Sequence, residues 1–178
     1  GKTVLLQTIA RAVELLHSPA EVQYGVITSH PNEWKHFQDC KNNVGIYPVQ
    51  DNSTPELLNS LVTWAHNNKG EQQSILLFID NLEEVIKSNP QAEQNLRWLL
   101  LRGPSRHVWP IITLNANRVQ ELSAWLELFR TRFIGHIQES TCSQLAAGTS
   151  DPFPQNLIAG SQFAMREGNH WLNFWVPA

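Results

Sequence analysis

Ser74-Ile75-Leu76-Leu77-Phe78-Ile79-Asp80 is an unbroken apolar run that ends on a carboxylate. A strand covered by helices on both faces reads this way, so the run predicts the buried centre of a parallel sheet. Val22–Thr28, Val44–Val49 and Val108–Leu114 are further strand candidates, the last read as buried. Between them lie helical patterns. Residues 3–17 carry Val4, Leu5, Ile9, Val13 and Leu16 and stop at Ser18-Pro19. Ser53-Thr54-Pro55-Glu56 starts a second helix, which runs to Asn67-Asn68-Lys69-Gly70. A third occupies 90–102, from Pro90 to the stop at Gly103-Pro104, and a fourth Val119–Leu128. Phe133–Ile137 is extended, and Gln162–Arg166 and His170–Val176 form a hairpin around Glu167-Gly168-Asn169. Alternating strands and helices predict an α/β fold: a mostly parallel sheet flanked by helices, finished by a C-terminal β-hairpin. With no repeat or linker in view, residues 1–178 are expected to form one domain.

Composition narrows the function classes. The 178 residues include 13 Lys plus Arg against 16 Asp plus Glu, a net charge of −3, which excludes a broadly basic nucleic-acid coat. Charged residues make up 16%, below the ~25% of ordinary domains, while Trp occurs seven times. Such a surface suits burial against another domain or subunit. No apolar run reaches the ~20 residues of a membrane span, and Gly1-Lys2-Thr3 does not open a signal peptide. Cys40 and Cys142 lack metal-ligand spacing and read as reduced thiols. The expectation is a soluble cytoplasmic protein.

Gly1-Lys2-Thr3 followed by an amphipathic helix matches the end of G-x-x-x-x-G-K-[ST]. In that loop backbone N–H groups cradle phosphates, the Lys reaches the β/γ-phosphates and the hydroxyl binds Mg²⁺. Asp80, at the tip of its strand, is placed to support the same ion; a helix N-cap would look the same. Gly1, Lys2, Thr3 and Asp80 are therefore the candidate nucleotide-binding residues, with Thr3 and Asp80 as metal donors and ATP with Mg²⁺ as cofactors. Thr113-Leu114-Asn115-Ala116-Asn117 sets an amide at the next strand's end. Asn115 either senses the γ-phosphate and orients water, or caps a helix. Arg130 and Arg132 either reach a neighbouring subunit's nucleotide or are solvated edge charges. Trp171 and Trp175 share a face of the last strand.

GKT-helix, ILLFID, TLNAN, FRTRFIGHI and GSQFAMREGNHWLNFWVP, in this order, resemble the motor domain of FtsK/HerA-type P-loop ATPases over the whole chain. The closing hairpin is the more specific part. The resemblance implies a RecA-like P-loop NTPase core and a ring oligomer of this chain that hydrolyses ATP to move double-stranded DNA, or in some relatives a polypeptide. It implies Arg132 as the arginine acting across subunits. Many members carry an acid where this chain has Asn81, so Glu83 or Glu84 becomes the candidate general base. A nucleotide-dependent regulatory or scaffold module without sustained turnover is the alternative that Asn81 favours. The chain is further expected to be a fragment starting inside the phosphate loop. The family's central strand, the start of that loop and a DNA-reading domain would then belong to the rest of the protein.

Overall fold

The computed structural model describes residues 1–68, 73–167 and 169–177. They divide into two compact units, Ile9–Thr113 and Gly1–Thr8 with Leu114–Ala178. The first helix, α1, spans Lys2–Leu16.

The Ile9–Thr113 unit is built on a parallel sheet of β1 (Val22–Thr28), β2 (Asn43–Pro48), β3 (Ser74–Asp80) and β4 (Val108–Ile112), in the order β2-β1-β3-β4. Helices α2 (Ser53–Asn67), α3 (Leu82–Ser88) and α4 (Pro90–Arg102) connect the strands. Leu77, Phe78 and Ile79 of β3 are fully buried, as a strand covered on both faces must be. Phe78 stacks on Trp34 with ring centroids 6.2 Å apart. Trp34 belongs to a 3₁₀ segment, Pro31–Phe37, that the apolar periodicity did not signal.

The N-terminus of α4 follows from its sequence. Asn89 is extended and its side chain accepts from the N–H groups of Gln91 and Ala92, while Pro90 needs no donor partner at the first position. The expected helix stops are Asn67 and Gly103, with Lys69 and Gly70 outside the described residues. In contrast, β4 is an edge strand of this sheet, not a buried one. Only Val108 of its five residues is buried, and Pro110, which has no N–H for a ladder, is tolerated there.

Gly103 ends α4 where two stretches of backbone converge. A Cβ on it would lie 2.3 Å from the Leu99 carbonyl oxygen and 2.7 Å from that of Val108. Neither atom is the far end of a flexible side chain. Gly103→Ala is therefore expected to destabilise the protein by at least ~1–3 kcal/mol; an unchanged denaturation midpoint would contradict this packing.

In the second unit β5 (Phe133–Ile134), β6 (Gln162–Glu167) and β7 (His170–Trp175) form an antiparallel sheet in that order. The closing hairpin is present, its end pair being Glu167 opposite His170; Gly168 lies outside the described residues. Two expectations fail here. The helix read over Val119–Leu128 is reduced to α5 (Ser123–Leu126), preceded by a 3₁₀ turn at Ala116–Arg118. Val119, Leu122 and Trp125 are buried three residues apart, and the N–H groups of Trp125 and Leu128 bond three residues back. A 3₁₀-like chain therefore mimics helical spacing. The strand read over Phe133–Ile137 is two residues long and pairs antiparallel with β6. Gly135 follows at once, and glycine weakens a strand interior. A further helix, α6 (Ser140–Ala147), ends at Gly148, left-handed at φ 66°.

Candidate functional site

Asp80 is the last residue of β3, flanked in the sheet by β1 and β4. In α/β sheets, ligands bind outside the carboxyl ends of the strands. Asp80 is only 7% exposed, and its Oδ1 accepts the Thr113 hydroxyl at 3.1 Å. The same hydroxyl oxygen accepts the Asn81 N–H at 3.0 Å. The Thr113 main chain closes the clamp: its N–H donates to Ile79 O and its carbonyl accepts from Leu82 N, at 2.8 and 2.9 Å. Thr113 thus holds the turn that presents the carboxylate. The sequence motif points to the amide of Asn115, two residues later, and not to Thr113, whose one local signal is a hydroxyl near the end of the adjoining strand.

Asn81 takes φ 81°, a left-handed conformation that Asn tolerates better than most residues. The turn between β3 and α3 thus gives Asn a backbone reason to stand where the resemblance leads one to expect an acid. Glu83 and Glu84 occupy the first turn of α3, but Glu83 is buried and Glu84 is exposed. The two candidate bases differ accordingly: one is fixed by packing, the other is in water.

In the other unit, Gly1 immediately precedes α1 and Lys2 and Thr3 begin it, where the first N–H groups of a helix lack intrahelical acceptors and attract anions. Lys2 Nζ donates to Asn115 Oδ1, so two residues singled out independently meet. Asn115 is extended, immediately before the Ala116–Arg118 turn, and its side chain makes no capping bond. The capping alternative loses its support. Gly1 lies against Gly160, whose Cα would be 3.2 Å from a Cβ on Gly1. A side chain on Gly1 would crowd that backbone.

Arg132 is half-buried, and its guanidinium donates to the carbonyls of Leu126 and Ala146 at 2.6 and 3.1 Å. Arg130 is exposed and makes no hydrogen bond or ion pair among the described residues. Trp171 is half-buried and Trp175 is 61% exposed, so the last strand's aromatic stripe is not core along its length.

The donors available to a cation are hydroxyl and carboxylate oxygens, the hard set that suits Mg²⁺. Among the described residues no three His, Cys, Asp or Glu side chains cluster as a metal cage. Mg²⁺ characteristically takes one or two carboxylates plus substrate phosphates, and Asp80 at the end of β3 offers one such carboxylate.

No family model and no curated protein matches the chain. Solved structures do. EssC (ATPases 2 and 3) from Geobacillus thermodenitrificans superposes with a TM-score of 0.77 at 16% identity, over 98% of this chain and 37% of that one. The cytoplasmic domain of the type VII secretion ATPase EccC of Thermomonospora curvata gives 0.76 at 13%, over 99% and 24%. The pCW3 conjugation coupling protein TcpA, in a monomer form with ATPγS, gives 0.71 at 14%, over 98% and 56%. The chain thus spans between a quarter and just over half of these proteins. The chain shares the fold of these ATPase domains. Among the described residues no helix is long and apolar enough to cross a membrane.

Proposed function

We propose that this chain is an ATP-binding and ATP-hydrolysing motor domain that works as a ring oligomer of its own copies on double-stranded DNA. The observation that carries the reading is the Lys2–Asn115 bond: the phosphate-loop lysine lies at a helix N-terminus with the amide expected to sense the γ-phosphate on it. Lys2 and the first turn of α1 bind the β/γ-phosphates, exchanging the amide for phosphate oxygens. Asn115, released, is then available to the γ-phosphate or the attacking water. Thr3 and Asp80 are the residues that would hold Mg²⁺, which when bound neutralises charge on the phosphates. Thr113 fixes the Asp80 carboxylate. Glu83 or Glu84 takes the proton from water, and Arg132, or Arg130, supplies positive charge across the subunit boundary.

A second reading has its own observation. Asn81 satisfies a left-handed turn and brings no acid, which suits a nucleotide-switched regulatory or scaffold module without sustained turnover. ATPase assays of the protein in its native length, with and without double-stranded DNA, separate the two. A motor hydrolyses ATP in repeated cycles and faster on DNA. ATP binding with less than one turnover per subunit, unmoved by DNA, would overturn the motor and leave the switch.

A further inference from the structure

The antiparallel sheet gathers positive charge on one face. Residues two apart in a strand share a face, so Arg132 lies in line with Ile134 of β5, and Arg166 with Ala164 of β6, which pairs with Ile134. Arg166 stands directly opposite Trp171 of β7. Arg132, Ile134, Arg166 and Trp171, with Arg130 and Phe129, line a cavity of about 300 Å³ that no carboxylate among the described residues lines. Its volume is at the lower end of ligand pockets. Three guanidinium groups around one cavity repel each other in a chain whose net charge is −3.

The walls are held in place. Arg132 is clasped by two carbonyls, which leaves three of its five N–H donors for other partners. Arg166 Nη1 donates to Gly148 O at 3.3 Å. Trp171 stacks on Phe153 at 5.2 Å, and its indole N–H donates to Asp151 Oδ2 at 2.8 Å. Asp151 feels the charge of Arg166, but its oxygens already accept from Trp171 and from the Phe153 N–H. It offsets part of the Arg166 charge from outside the cavity lining, and within that lining Arg130 and Arg132 meet no carboxylate among the described residues.

We infer that this pocket binds a phosphate group. A guanidinium fork matches phosphate oxygens in pairs, and pyrophosphate offsets more of the clustered positive charge than one carboxylate does. The pocket shares Arg130 and Arg132 with the charge proposed to act across the subunit boundary but contains none of Gly1, Lys2 and Thr3, so a ligand bound here is told apart from one at the phosphate loop by Lys2→Ala.

The test is a titration of the full chain with inorganic pyrophosphate at low ionic strength, followed by the ¹⁵N–¹H signals of the indoles. Loss of one signal in Trp171→Phe identifies Trp171. The Trp171 signal is expected to shift saturably, and Arg130→Gln and Arg166→Gln should each weaken binding about tenfold or more. The six other indole signals report whether each variant is folded. Lys2→Ala should leave the titration unchanged. A double-stranded oligonucleotide that binds more tightly than pyrophosphate assigns the phosphate to a nucleic-acid backbone; the reverse order assigns a free phosphate ligand. The inference is overturned by an absent or non-saturating shift, or by full affinity in folded Arg130→Gln and Arg166→Gln. Loss of the shift in Lys2→Ala, or glutarate binding as tightly as pyrophosphate, would equally overturn it.

Discussion

Asp80→Asn is expected to lower ATP turnover at least about a hundredfold while leaving the fold and ATP binding largely in place. A metal ion's share in stabilising transition-state charge is several kcal/mol, and each 1.36 kcal/mol is a factor of ten. The substitution removes the charge that supports the ion and almost nothing else. The Asn Oδ1 still accepts from the Thr113 hydroxyl, now 3.1 Å from the carboxylate, and the volume hardly changes. Thr113→Val is the informative companion. It keeps the Asp80 charge but deprives Asp80 of one donor and the Asn81 N–H of its acceptor. The cost to stability should be ~1–3 kcal/mol, and the loss in turnover smaller than for Asp80→Asn. Thermal denaturation and steady-state ATPase assays on the same preparations read both effects. Parental turnover in Asp80→Asn would remove Asp80 from the chemistry and leave it a buried strand-end residue.

The legibility of the chain follows from how local the determining forces are. β1, β3 and α4 occupy the spans their residues predict, because each is specified by its own sequence: β-branched and apolar residues in β1, a continuous apolar run in β3, and in α4 an Asn89-Pro90 start and a glycine stop. Between Leu114 and Gly160 the same patterns mislead. Val119, Leu126, Ile134, Ile137, Cys142 and Ala146 form one buried cluster, drawn from turns, a two-residue strand and two short helices. Its apolar spacing reflects tertiary contact, and no single period describes it. The site divides in the same way. Lys2, Thr3 and Asp80 stand where the motifs place them, at a helix start and a strand end. The value of Thr113 depends on a hydrogen bond to a residue 33 positions away, which no local pattern encodes. Asn81 looked like a defect in a catalytic pattern, but the backbone shows what it is suited to do.

Lys2→Ala is expected to weaken ATP binding about 10- to 100-fold, the range for losing a hydrogen bond between charged groups. The helix N-terminus remains after the substitution, so its N–H groups and dipole still attract phosphate and some affinity survives. Lys2→Arg should recover only part of the loss, because a planar fork does not replace a compact ammonium at a point contact. Asn115 provides the internal check, since Lys2 Nζ rests on its Oδ1. If that bond only parks the lysine, Asn115→Ala will leave ATP affinity within a few-fold and turnover intact. If Asn115 also orients the attacking water, turnover will fall by more than affinity. A double-substitution cycle in ATP affinity then measures the coupling, because residues that share a hydrogen bond depart from additivity. Binding measured by calorimetry with a non-hydrolysable ATP analogue keeps affinity apart from chemistry. Unchanged affinity in Lys2→Ala would mean that Gly1-Lys2-Thr3 is a fortuitous match at the start of α1, and the nucleotide reading would lose the residue on which it most depends.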